Sequence, residues 1–178
     1  MRNTAFFVAG FVLLLLQANL FRVLDYVHVP GLVPSLVLPL ILFMGVHEYS
    51  LVRGALIAFV LGYATDLLGI APVGLYTFTY TAIFVLTRAV GVRLAAQTTM
   101  MQAALAFAFT LLHSLMILML LAIFGRDAWV PRALYPMAIP HVLATAAIAP
   151  LVFKLAQRIH ASTMSGHRGE AASGGTRP

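Results

Sequence analysis

The chain has no cysteine and only five acidic residues among its 178. Without cysteine there is no disulfide framework, no thiolate nucleophile and no iron–sulfur centre. Charged residues make up 9% of the sequence, against about 25% in a soluble domain, which excludes an ordinary globular enzyme. Disorder is excluded too, because it needs low hydrophobicity and high charge, whereas 62% of these residues are hydrophobic and the mean hydropathy is +0.98. Recognisable catalytic signatures are missing: the sequence contains no Walker motif, dinucleotide fingerprint, G-x-S-x-G elbow or H-E-x-x-H. Its six histidines include no pair at i,i+3 or i,i+4, so no zinc-type spacing exists. Asp25, Glu48, Asp66, Asp127 and Glu170 are scattered, unlike the clustered acids that hold magnesium. The chain reads as a non-enzyme, with no catalytic residue, metal or cofactor assigned.

What the sequence has instead is long apolar runs. Crossing about 30 Å of hydrocarbon takes roughly 20 apolar residues as a helix. Six candidates are present, at 3–20, 32–46, 51–68, 73–90, 97–124 and 134–153. The first follows Arg2 and lacks a convincing cleavage site, so it reads as a retained anchor. The second is short, about 22 Å as a helix. Pro34 suits its first turn and Pro39 predicts a lost interior hydrogen bond and a kink. A tilted span, a broken span or a re-entrant segment would each fit. The third and fourth are separated only by Gly69-Ile70-Ala71-Pro72 and form a tight helical hairpin. The sixth carries Pro136, Pro140 and Pro150, which membrane helices tolerate when neighbours satisfy the freed carbonyls. The expected fold is an all-α integral membrane protein of six transmembrane helices, or five plus a re-entrant segment. Residues 1–161 form the transmembrane domain, and the polar, Gly/Ser-rich stretch 162–178 is expected to be a disordered cytoplasmic tail.

The net charge of +6 would suggest nucleic acid in a soluble protein. Here it reads as the cytoplasmic ends of helices, because basic residues favour that side, and no nucleic-acid partner is expected. With six spans and both termini inside, eight basic residues lie inside and three outside. With five spans, Arg2 and Arg22 exchange sides and the count is unchanged. The C-terminus is cytoplasmic either way, and the 66–72 hairpin and 126–132 loop face outward.

Polar groups within the spans need explaining. Asp66 lies near the outer end of the third span and reads first as a carboxylate shaping the hairpin, then as a ligand or partner contact. His47, Glu48 and Arg53 cluster at a cytoplasmic turn as an interfacial ion pair. His113 and His141 read as hydrogen-bonded between helices. Tyr76, Tyr80, Trp129 and Tyr135 suit interfacial belts or helix packing. Gly54, Gly62 and Gly69, with Ala55 and Ala58, give the third helix a small side that permits close approach to another helix of this chain or of a partner.

Residues 62–75 read GYATDLLGIAPVGL. This stretch resembles the characteristic hairpin of the bacterial rod shape-determining MreD family. A third-span glycine, an Asp-Leu-Leu, a small-residue turn with proline and a following glycine recur there in this order. The corresponding residues are Gly62, Asp66, Leu67, Leu68, Gly69, Pro72 and Gly74, which the resemblance marks as partner-contacting or structural. The Gly-Ile-Ala-Pro turn departs from the family's common serine-rich turn, and the tail after Ser162 is longer than the family needs. The resemblance implies a non-catalytic scaffold of the elongation machinery, or elongasome, in the bacterial inner membrane. It implies MreC as partner, with MreB, RodA and a class B penicillin-binding protein in a larger complex that supports peptidoglycan synthesis and rod shape. It also implies a fold similar to the S components of energy-coupling-factor transporters, whose ligand site opens outward. The small face of the third helix and the outer loop 125–131 are the expected partner contacts. The alternative function is an S-component-like vitamin-binding subunit of a transporter, its pocket built from Thr65, Asp66, Tyr76, His113 and His141. Against that alternative, Ala9 and Ala18 lack the A-x-x-x-A spacing of a coupling surface.

Overall fold

The computed structural model describes residues 2–24, 33–47, 50–69, 72–90, 98–124 and 129–173, with side chains described outside 2–3, 21–24, 129–136 and 163–173. Six helices account for nearly all of it: α1 (Arg2–Leu24), α2 (Val37–His47), α3 (Leu51–Leu68), α4 (Leu75–Ala89), α5 (Thr99–Phe124) and α6 (Trp129–Ser173). By length and composition, Leu51–Leu68, Thr99–Phe124 and Met137–Ser162 are apolar and long enough to cross a membrane. Thr4–Leu20 and Val37–His47 are apolar but shorter.

The helices are arranged as a closed ring around an axle. Helix α1 packs on α3, α3 on α4, α4 on α5, α5 on α6, and α6 returns to α1, while α2 touches all five. Every residue of α2 from Val37 to Val46 is buried. Its sequence, VLPLILFMGV, is apolar on every side, as a helix with no solvent-facing stripe must be. The segment, which reads from sequence as a tilted, broken or re-entrant span, is enclosed by the other helices.

The start of α2 also differs from expectation. Residues 33–35 are non-helical, so Pro34 precedes the helix and Pro39 is its third residue. The first backbone N–H groups of a helix have no intrahelical partner, so Pro39 removes no interior bond there. At the other end of the chain, α6 continues as backbone to Ser173, past residue 162, where composition predicts a polar tail. Extending an existing helix requires no new nucleation.

The ring fixes which helix ends lie together. Phe6 of α1, Phe43 of α2 and His160 of α6 form mutual ring contacts with centroids 6.0–6.4 Å apart. At the opposite end, the residues leading into α2 meet both Gln17 of α1 and Thr145 of α6. The N-terminal end of α1 therefore lies beside the C-terminal half of α6, as six alternating helices require. The five-span alternative, with these two at opposite ends, does not match.

The outside of the ring is apolar: Val8 and Leu16 on α1, Val52 and Leu56 on α3, Leu115 and Met119 on α5, and Leu143 and Leu151 on α6 are all exposed. The inside holds Ser35, Thr65, Asp66, Thr79, Gln102, Thr110, His113 and Thr145. Apolar outside with polar groups sheltered inside is the distribution that a lipid solvent imposes. Helix α4 is rich in threonine, and Thr79, Thr81 and Thr87 each donate a hydroxyl to a carbonyl three or four residues back, hiding it within the helix's own backbone.

Candidate functional site

The α3–α4 hairpin is built on Asp66. One carboxylate oxygen, Oδ2, accepts the Gly74 N–H (2.9 Å), the Thr77 N–H (3.0 Å) and the Thr77 hydroxyl (2.6 Å). The other, Oδ1, accepts the Tyr76 N–H (2.9 Å). Helix α4 begins at Leu75, so these are the first-turn donors that an α-helix leaves unpaired. Gly74 occupies the cap position itself with φ +102° and no side-chain cap bond. A carboxylate from the preceding helix supplies the missing acceptors and places negative charge at the positive end of the α4 dipole. With four donors on it, three of them on Oδ2, the buried Asp66 is engaged by its own chain.

Gly62 explains how α3 comes close enough. A Cβ there would lie 2.6 Å from Thr77 Cα and 2.7 Å from the Tyr76 carbonyl oxygen, which are backbone atoms that cannot swing aside. Gly54 faces the Phe84 ring of α4 in the same way, and Ala58 is wholly buried. The small face of α3 is thus spent on α4 of the same chain. Leu67, Leu68 and Val73 at the hairpin tip are exposed, as are Gly69 and Pro72. Gly69 closes α3 through its N–H to the Thr65 carbonyl.

A second polar centre forms around the start of α2. The Ser35 N–H donates to Thr145 Oγ1 at 2.9 Å, and that hydroxyl donates on to the His141 carbonyl at 2.8 Å. The Leu36 N–H donates to Gln17 Oε1 at 2.9 Å, and the Leu38 N–H to the Ser35 hydroxyl at 3.3 Å. His141 Nδ1 pairs with the Val33 carbonyl at 2.6 Å, which makes that nitrogen the donor. Helices α1 and α6 thereby supply partners that the buried backbone leading into α2 needs.

Beside this junction lies a partly open cavity of about 350 Å³, with Gln17, Ser35, Tyr76, Tyr80, His113 and His141 among its walls. Tyr80 and His113 stack with centroids 5.2 Å apart and an interplanar angle of 26°. Tyr76 stands 5.8 Å from Tyr80 and 5.9 Å from His113. His113 is 2% exposed, and neither of its ring nitrogens has a hydrogen-bond partner. An unmet buried polar group costs on the order of 1–3 kcal/mol.

Of the residues expected to form a pocket, Tyr76, His113 and His141 come together around this cavity, while Asp66 and Thr65 do not line it. Thr65 instead donates its hydroxyl to the Leu61 carbonyl. Tyr76 and Tyr80 face the interior rather than forming an interfacial belt. Gln17, Ser35 and Tyr80 were not expected in a pocket. The available signal was that Gln17 ends one apolar run and Ser35 begins the next, which puts both at one depth. Glu48, residues 125–128 of the expected contact loop 125–131 and the side chains of 129–131 lie outside the described residues, and the backbone of 129–131 is not loop but the start of α6. Among the described residues, no group of three or more His, Asp or Glu could hold a metal ion.

Apolar outside, with its internal carboxylate consumed in capping a neighbouring helix, this is a helical membrane protein whose hairpin polar groups hold helices together. The family model described as rod shape-determining protein MreD matches residues 1–159 of the 178-residue chain. The chain belongs to that family, and with it to the proteins that determine rod shape. Neither the curated proteins nor the solved structures gave a match, so the likeness to transporter S components remains an implication of the hairpin resemblance alone.

Proposed function

We propose that this chain is a non-catalytic scaffold of the elongation machinery in the bacterial inner membrane, with its C-terminus in the cytoplasm. It binds MreC and, through a larger complex with MreB, RodA and a class B penicillin-binding protein, supports peptidoglycan synthesis along the cell wall. The observation that carries this reading is the family match over residues 1–159. The hairpin agrees with it, since Asp66 is engaged by four donors of its own chain in capping α4.

Because the small face of α3 is taken by α4, the partner surface moves to the opposite side of that helix. Val52, Leu56, Phe59, Tyr63 and Leu67 are exposed there at spacings of three and four, one continuous apolar stripe. A single-pass partner helix would pack along it.

Mild-detergent purification of the tagged chain from its native membrane, with mass spectrometry of what accompanies it, tests both statements. MreC with the RodA–penicillin-binding-protein pair is the expected recovery. The double variant Leu56→Ala/Phe59→Ala is expected to lose MreC while melting as the parent does. Undiminished MreC would remove the stripe as the contact. Recovery of an ATPase pair and a large coupling subunit instead would replace the scaffold with a transporter component.

A further inference from the structure

We infer that the cavity at the start of α2 is a binding site for a small uncharged heteroaromatic molecule. The inference stands on the cavity alone and does not depend on the scaffold reading.

Charge is the first discriminator. Among the described residues, no Asp, Glu, Lys or Arg lines the cavity. Asp66 does not line it, and its carboxylate is turned to Gly74, Tyr76 and Thr77. A charged ligand would have to shed its hydration at this depth with no opposite charge to meet it. That argues against a phospholipid headgroup as well as against organic ions.

Shape is the second. One wall is aromatic, made of Tyr76, Tyr80 and His113 in mutual ring contact. Ile117, Leu118, Met137 and Ala138 add aliphatic groups to the lining. A lining of aromatic rings and aliphatic groups favours a flat body, which gains offset-stacked contacts from the rings and dispersion from the aliphatic groups. The volume of about 350 Å³ lies at the small end of ligand pockets. It has room for about a dozen water-sized groups at ~30 Å³ each.

Hydrogen bonding is the third. Both His113 nitrogens are without a partner. Gln17 uses its carbonyl oxygen on the Leu36 N–H, which leaves its amide hydrogens for something else. His141, with Nδ1 given to the Val33 carbonyl, keeps Nε2 as an acceptor. Gln17 and His141 therefore offer the cavity donors and an acceptor, as ring N–H, ring nitrogen and carbonyl groups require. An acyl chain would bury all of these without pairing any of them.

The test uses the full chain in phosphatidylcholine nanodiscs, titrated with lumichrome, adenine and nicotinamide and followed by fluorescence or equilibrium dialysis. Saturable one-to-one binding of at least one probe is expected. Ala138→Trp, which fills the cavity, should weaken that binding at least tenfold. His113→Phe keeps the ring and removes the nitrogens, and should weaken it severalfold. Leu143→Trp, on the exposed side of α6, should leave it unchanged, and melting curves confirm that each variant is folded. Failure of all three probes to bind saturably overturns the inference. So does binding that survives Ala138→Trp in a folded protein, or co-purification of lipid acyl chains that Ala138→Trp alone expels.

Discussion

Thr77 gives both its backbone N–H and its hydroxyl to the same oxygen of Asp66, at 3.0 and 2.6 Å. One residue of α4 thus supplies half of the bonds that hold the α3 carboxylate, and the hairpin closes on that contact. A carboxylate in this position acts as a detached helix cap. Its removal should be read as damage to folding before it is read as loss of a binding group.

Asp66→Ala would leave the first-turn N–H groups of α4 unmet and cost on the order of 3–5 kcal/mol. Asp66→Asn can turn its oxygen toward Gly74 and Thr77 and forfeit only the bond to Tyr76, for about 1–2 kcal/mol. Thermal unfolding in detergent should rank parent above Asn and Asn well above Ala. Equal melting of the Ala variant and the parent would contradict the capping role.

The two hairpin glycines should respond differently to alanine. At Gly62 the added methyl meets backbone atoms of Thr77 and Tyr76, an overpacking that costs about 1–3 kcal/mol. At Gly74 nothing lies within 4 Å, but φ is +102°, so only conformational strain of about 1 kcal/mol remains. Melting temperatures should therefore fall further for Gly62→Ala than for Gly74→Ala.

Thr145 connects α2 to α6 across 110 residues of sequence. Thr145→Val preserves its shape and leaves the Ser35 N–H without an acceptor, at about 1–3 kcal/mol. Thr145→Ser should restore most of the loss. If valine and serine melt alike, the bond to Ser35 does not contribute.

The lack of cysteine makes the chain a clean background for side-specific labelling. Thr4→Cys and Ser162→Cys should react with a membrane-impermeant maleimide from the same face of the membrane, and Val73→Cys from the other. Labelling of residues 4 and 162 from opposite faces would rule out six alternating helices.

How much could be read in advance depended on the range of each interaction. The hairpin was legible because its signals are local: an acid inside an apolar run, a proline-bearing turn and glycines at fixed offsets. That Asp66 would serve backbone donors eight to eleven residues ahead was not legible, because it requires the left-handed Gly74 to aim the next helix. For α2, an all-apolar run carries no periodicity, and apolar side chains look the same whether lipid or protein surrounds them. The cavity was half legible. Tyr76, His113 and His141 stood out as polar residues inside spans, but Gln17, Ser35 and Tyr80 join them only through pairings 19, 45 and 110 residues apart.

The enclosed α2 also constrains how the protein is made. At 11 residues it is about 16 Å long, too short to settle across a bilayer by itself when it leaves the ribosome. Its starting carbonyl and N–H groups at Val33 and Ser35 are met by His141 and Thr145, which are synthesised more than a hundred residues later. A nascent chain halted after α5 would hold α2 with those groups unmet and one side uncovered. The last helix to emerge is therefore the one that locks the axle, and chains that stop short of it should be recognised and degraded as unfinished.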